Sequence, residues 1–489
     1  MQGSHSGRRS AVRSGLLTGL STAAVSASAG LAGALLARKF GHGAKTDGFF
    51  AAYAVYLAIV LVASALRVVV LPEFARARAA GALGREVGSW SAALAVPLVP
   101  AMVVAIAAPH WVAGLLTGGS EARSSAAELV PWLIPAAVAQ VYAGIAASAL
   151  AALDDYGTAA LGYAAGGLAG LLAIVALVSH GVQAFGWGLA LNGAVSLSIP
   201  LAVVLSRGGL GLPGGAVLRR LRMLVEGVSL PFALQGLYVI GTRFASGLGS
   251  GRTTTFSYAY LIASLLVAVT ATSIALVSSV PLSRGELTPE RTARHVISAS
   301  WVSFAIVAGA AGVFALAGAP VAKLALGSSY GGGTGTELGR LVAYLSPWMI
   351  CSIALSVAFP LLFVRGRARW LPLLAIGALV AHVLIEWGGS AWLGLAGIAA
   401  GMAVTTLLVL LVLLASLGAL PATSRGVLGA AAACAAPALL GFGVAGLVLD
   451  AAPAAVLGFV IYAAALALWR PRGLLVSWHY LRHLGAADA

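Results

Sequence analysis

His382 and Glu386 stand four residues apart in an otherwise apolar stretch of the chain. On a helix that spacing puts both side chains on one face, and ionisable groups inside a membrane are costly enough to read first as functional. The chemistry open to such a pair is ion coupling: Glu386 accepts a proton or a sodium ion, and His382 tunes it. The competing reading sets Glu386 at the membrane interface beside Trp387. Arg67 lies within another apolar run, and Arg243 toward the end of a third. Either can meet an anionic ligand, and either can instead snorkel to lipid headgroups.

No catalytic constellation emerges, so an enzyme is not expected. His110, His180 and His295 stand alone at expected helix ends, and Gly331-Gly332-Gly333 lacks the lysine and the strand–helix context of a phosphate loop. That glycine run reads as a turn. Cys351 and Cys434 fall inside apolar runs without a metal-ligand neighbour, and read as small buried hydrophobes. No metal or cofactor is expected beyond Na+ or H+ as a coupling ion.

Lipid must position these groups. The chain has 489 residues, 60% hydrophobic and 9% charged, against about 25% charged in soluble domains. Too little polar side chain remains to coat a water-soluble protein of this size. The formal charge of +15 is spread over short loops rather than gathered in one patch, which argues against nucleic acid as a partner.

A bilayer core of about 30 Å takes about 20 apolar residues per helix. That ruler places spans at 16–37, 50–72, 90–116, 128–152, 157–180 and 184–206. A second series falls at 227–248, 256–282, 296–319, 339–364, 370–388, 395–420, 426–448 and 452–469. Arg8, Arg9 and Arg13 precede the first span as in a signal peptide, but the apolar stretch outruns an h-region of roughly 7–15 residues, so it reads as uncleaved. The fold class is therefore an all-α polytopic membrane protein of about 14 helices. Lys and Arg alternate with the loops: the side holding the N-terminus carries more than twice as many as the other. Positive-inside bias puts both termini in the cytoplasm.

The sequence also repeats weakly. Gly41-His42-Gly43, leading through Phe50 and Tyr53 to Leu71-Pro72, recurs roughly 210 positions on as Gly249-Ser250-Gly251, leading through Tyr258 and Tyr260 to Val280-Pro281. Leu129-Val130 with Leu133 and Pro135 echo Leu341-Val342 with Leu345 and Pro347 at a similar offset. Both copies start from the same side, which implies two parallel six-helix lobes that rock for alternating access. The expected organisation is a basic N-terminus (1–15), a first lobe (16–206), a linker (207–226), a second lobe (227–420), a final helix pair (421–470) and a tail (471–489). The repeat places Asp154 and Asp155 opposite Arg365, Arg367 and Arg369 in matching loops, which suggests a charge-paired inner gate. The plainer reading is solvated aspartates and arginines that merely obey the charge bias.

The run from Ala37 to Phe50 resembles the "AR-x-FG-x-G-x-x-TDAFF" stretch of MurJ (MviN-type) lipid II flippases. Pro72 with Phe74 is similar to the end of that family's second helix, and Gln235 with Phe244-Ala245-Ser246-Gly247-Leu248 to its seventh. The family belongs to a superfamily with MATE exporters and polysaccharide flippases. The resemblance implies a flippase for a lipid-linked, anionic glycan precursor, with membrane lipids and cell-envelope biosynthesis proteins as partners. It also implies substrate contacts at Arg38, Asp47 and Arg243. The departures are chemical. Ser21 to Gly33 carry no charge where the family has cations, and Val60, Tyr260 and Gly241 stand where charged residues are expected. Alternatives therefore stay open: an ion-coupled exporter of a small amphiphile, or a scaffold that keeps the fold without transport.

Overall fold

The computed structural model describes residues 4–207, 209–283, 288–364, 368–469 and 471–484. Helices account for nearly all of them, and no strand occurs among the described residues. The physical reason is the solvent: in lipid every backbone N–H and C=O must be satisfied within its own segment. The chain divides into two compact units, Met1–Gly251 and Arg252–Ala489.

The first unit contains α1 (Ser4–Phe40), α2 (Ala44–Ala79), α3 (Leu83–Ala107), the short α4 (Pro109–Leu116), α5 (Ser120–Ala152), α6 (Tyr156–Leu177), α7 (Gln183–Ser206) and α8 (Val217–Gly247). At its centre is α5, which packs on α2, α3, α4 and α7, with 83% of its apolar window buried. Phe74, Trp90, Leu94, Val141, Ile145 and Leu150 form the core around it. The α6–α7 seam is made by small residues. Gly162, Gly166 and Gly170 are buried against α7, and a Cβ on Gly170 would lie 2.7 Å from the Gly188 carbonyl oxygen. Such close backbone approach drives helix association where no hydrophobic effect operates between helices.

The second unit contains α9 (Arg252–Ser283), α10 (Pro289–Leu326), α11 (Gly332–Tyr344), α12 (Ser346–Val364), α13 (Leu371–Leu393), α14 (Leu395–Ser416), α15 (Leu420–Val448), α16 (Ala451–Trp469) and α17 (Arg472–Leu484). α10 is its axis, packed on α11, α12, α15, α16 and α17, and α14 lies against α12 and α13. Cys351 and Cys434 are free and buried, as expected for small hydrophobes.

Twelve helices among the described residues are long and apolar enough to cross a membrane, or thirteen if the bent pair α11–α12 forms one span. The remaining expected span, 16–37, lies in α1. Three expectations change. The third span stops at Ala107 because Ala108 precedes Pro109, and a residue before proline avoids the helical region; α4 follows separately. The tenth span bends by 41° at Leu345. The tail carries α17, which packs on α10 through Gly473 and Trp301. The unit boundary also falls later than the expected linker. α8 packs on α2 and α3, with Arg220 of α8 holding Glu86 of α3 at 2.7 Å.

Candidate functional site

The first unit holds a cavity of about 390 Å³ between α1, α2, α5 and α6. Ser21, Val25 and Ser26 of α1 and Val60, Ala63, Arg67 and Leu71 of α2 line one part of it. Gln140, Ala147, Ser148 and Ala151 of α5 with Tyr156, Ala159, Ala160 and Tyr163 of α6 line the rest. Among the described residues, Arg67 is the one charged lining residue. Its guanidinium donates to the Tyr163 hydroxyl at 3.1 Å and lies 5.4 Å from the centre of that ring, a cation–π contact. Held this way, Arg67 keeps several of its five N–H donors for a ligand.

Three other polar groups on the wall, Gln140, Ser21 and Ser148, have already spent their donors, whereas Ser26, Tyr156 and Tyr163 keep their hydroxyls. Gln140 donates through Nε2 to Asn192 Oδ1 at 3.2 Å and to Ser196 Oγ at 3.4 Å. Ser21 donates to the Ala160 carbonyl and Ser148 to the Gly144 carbonyl, both at 2.7 Å. What these groups retain is acceptor capacity. The Gln140–Asn192–Ser196 network escapes a sequence search keyed to ionisable residues. The signal that could have found it was two carboxamides within apolar runs.

The remaining residues singled out in this unit lie elsewhere. Asp47 is buried in the first turn of α2, where a carboxylate suits the helix dipole, and its Oδ2 accepts from the Gly251 N–H at 2.6 Å. Arg38 is exposed in the last turn of α1, and Arg243 is exposed near the end of α8. Asp154 pairs with Arg78 at 2.6 Å and Asp155 with Arg207 at 2.8 Å, both within this unit. Asp155 also caps α6, accepting from the Thr158 N–H at 3.0 Å. Burial alone would raise the Asp155 carboxyl, but the Thr158 backbone and hydroxyl and the Arg207 guanidinium together hold it below the ordinary carboxylate value. Of the arginines expected opposite, Arg365 and Arg367 lie outside the described residues and Arg369 is exposed.

In the second unit His382 and Glu386 are both fully buried on the face of α13 that meets α14. His382 Nε2 is 3.4 Å from Glu386 Oε1, and His382 Nδ1 is 3.0 Å from the Thr405 hydroxyl of α14. Gly401 of α14 makes room for the acid: a Cβ there would lie 2.7 Å from Glu386 Oε1. Among the described residues no group of three or more His, Cys, Asp or Glu is placed to hold a metal ion. Its neighbour Trp387 is exposed, while Glu386 itself faces inward.

This unit also carries an apolar groove of about 400 Å³ between α10, α12 and α15. Phe304, Ala308, Leu316, Ile350, Cys434, Ala438 and Phe442 are among its walls. Behind it, α16 braces α10 through the Tyr462 hydroxyl, which donates to the Ala305 carbonyl at 2.7 Å. Tyr260, where the resemblance led to a cation, is buried with its ring 5.1 Å from Trp348.

No protein-family model matches the sequence, and no curated protein matches it. Solved structures do. A lipid II flippase MurJ in an inward closed conformation matches with a TM-score of 0.73, over 93% of this chain and 99% of its own, at 13% identity. An inward-facing multidrug resistance MATE family transporter of the MOP superfamily matches at 0.61, over 82% and 96%, with 18% identity. A MOP superfamily transporter from Pyrococcus furiosus follows at 0.56, over 86% and 96%, with 14% identity. The chain therefore has the multi-pass, all-α fold of the MOP-superfamily transporters and resembles MurJ in its frame.

Proposed function

We propose that the chain uses the MOP-type transporter fold as a flippase, moving a lipid-linked, anionic glycan precursor of the lipid II kind across a bacterial-type cytoplasmic membrane by alternating access. The observation that carries this reading is the apolar groove between α10, α12 and α15. A small soluble compound has no use for such a trough, whereas a polyprenyl or acyl tail can stay in apolar surroundings along it while its headgroup crosses. In the first unit, the cavity with Arg67 on its wall offers the headgroup a cation and several hydrogen-bond acceptors. Both termini would lie in the cytoplasm, in keeping with the distribution of Lys and Arg. Cell-envelope biosynthesis, with peptidoglycan as the end product, would supply the substrate and the protein partners. In the first unit, Asp154 and Asp155 would lie toward the cytoplasmic side, with Arg38, Asp47 and Arg243 toward the outer side.

A second reading, export of a small amphiphile, draws on Val60 and the uncharged α1 wall. One experiment separates the two. Proteoliposomes holding this protein alone receive labelled lipid II and a short-tailed amphiphile, and transbilayer movement of each is timed. The flippase reading expects lipid II to move, and Ala438→Trp, which fills the groove, to slow it about tenfold while sparing the short amphiphile. Movement of the short amphiphile alone would establish the exporter instead.

A further inference from the structure

We propose that α17 and the first turns of α10 form a docking surface for anionic phospholipid headgroups, at the depth where α10 leaves the apolar core of the bilayer. This surface belongs to the second unit alone and is independent of the flippase reading.

The chain itself brings α17 to the membrane surface. α16 is long and apolar enough to span, and it ends at the exposed Trp469, a residue type that anchors helices at the lipid–water boundary. α17 begins three residues later at Arg472, so its start lies within about 10 Å of that end. From there it runs back along α10: Gly473 packs on Trp301, and the Tyr480 ring lies 6.1 Å from that of His295. Trp301 falls inside the apolar run of α10 and His295 at its edge. α17 therefore passes through the headgroup layer rather than hanging free in water.

Its side chains match that layer. The packed side holds Gly473, Ser477 and Tyr480. Leu475 and Trp478, three residues apart on the helix, are left 44% and 58% exposed beside it. Arg472 and His479 are exposed as well, and α17 carries no acidic residue. A helix with Leu and Trp uncovered and basic residues alongside suits the boundary between headgroups and acyl chains. On α10, Arg291 stands one turn before His295 and Arg294 directly beside it, both exposed. Burial raises the Tyr480 hydroxyl and these two arginines draw it back, so their guanidiniums lie within its electrostatic reach. Glu290 is the one acid in those turns, which leaves the surface net cationic. An acidic soluble protein would satisfy the charges but not Leu475 and Trp478 at the lipid boundary. Anionic phospholipid satisfies both.

The test places the full-length protein, with a fluorophore attached at Leu475→Cys, in vesicles of phosphatidylcholine alone or mixed with phosphatidylglycerol. Cys351 and Cys434 are buried and leave the label at the new position. Quenching by brominated acyl chains reads contact with lipid, and quenching by iodide reads contact with water. In the mixed vesicles the brominated chains should quench the label and iodide should not. Omitting the anionic lipid should move the ratio of the two toward water by at least about fivefold. Arg472→Gln in the mixed vesicles should move it by about fivefold, the contribution of one arginine near an anionic surface. A label at Trp478→Cys reads the same face independently. If iodide reaches both labels in the mixed vesicles and brominated chains reach neither, the proposal is overturned and the face is open to a soluble protein. If the ratio ignores both the anionic lipid and Arg472→Gln, it is overturned as well, because apolar insertion alone then holds the helix.

Discussion

The first unit and the second lead into α2 and α9 through like turns and then diverge. The turn before α2 carries Gly41 at φ 64°, and the turn before α9 carries Gly249 and Gly251 at φ 122° and 82°. Only glycine adopts such angles without strain, which is why the repeat shows there in the sequence. Farther along, the chemistry separates. The first unit opens a cavity walled by hydroxyls, a carboxamide and one guanidinium among its described residues, while the second carries an apolar groove and buries its His–Glu pair between two helices. Even a shared motif behaves differently: α5 runs through Pro131 and Pro135, whereas the matching Leu345-Ser346-Pro347 bends α11 from α12 by 41°. A repeated backbone frame thus constrains turns and helix order, and leaves wall chemistry to individual side chains.

The comparison can be broken most severely at the pair in the second unit. Glu386→Gln removes the ionisable oxygen facing His382 and is expected to abolish the dependence of transport on a proton or sodium gradient. Transport would be followed in proteoliposomes with imposed gradients, and an unchanged response would remove ion coupling from this unit. A second contrast concerns stability. Arg220 and Glu86 form a largely buried pair in the first unit, so Arg220→Ala, which strands the acid, should cost about 3–5 kcal/mol. Arg252 and Glu337 of the second unit are both substantially exposed, so Arg252→Ala should cost about 1 kcal/mol or less. Thermal unfolding in detergent of the two variants side by side measures the difference, and equal losses would refute it.

A comparably small effect is expected at Asp155. Replacing it with Asn keeps a capping side chain but loses the charge toward Arg207, at a cost of about 1 kcal/mol. Its folded carboxyl titrates below its unfolded one. The stabilisation is therefore complete above the unfolded value of about 3.9 and disappears as pH falls through the lower folded value. The gap in melting temperature between wild type and Asp155→Asn should shrink on acidification, and a constant gap would show that the charge contributes nothing.

Much of the frame was legible in the residues because lipid makes the rules coarse. Apolar length marks the spans, whereas the breaks before Pro109 and at Leu345 are local features that apolar length does not register. The spacing of His382 and Glu386 predicted a shared face, and the two side chains do lie 3.4 Å apart. The cavity was less legible. Gln140, Asn192 and Ser196 are separated in the chain and acquire meaning only where α5 meets α7. Asp47, singled out by its family pattern, accepts from the backbone of Gly251, a partner its spacing could not name.

By itself the sequence determined that this protein lives in a membrane, which stretches cross it, and where the frame repeats. Those properties follow from solvent and backbone, since each helix must satisfy its own hydrogen bonds in lipid. Tertiary structure alone decided which polar groups still have a donor or an acceptor to offer. Arg67 gains its role from Tyr163 on another helix, and Gln140 becomes an acceptor because Asn192 and Ser196 take its N–H bonds. Hydrogen-bond capacity is finite, so what a side chain can give a substrate depends on what its neighbours have already taken.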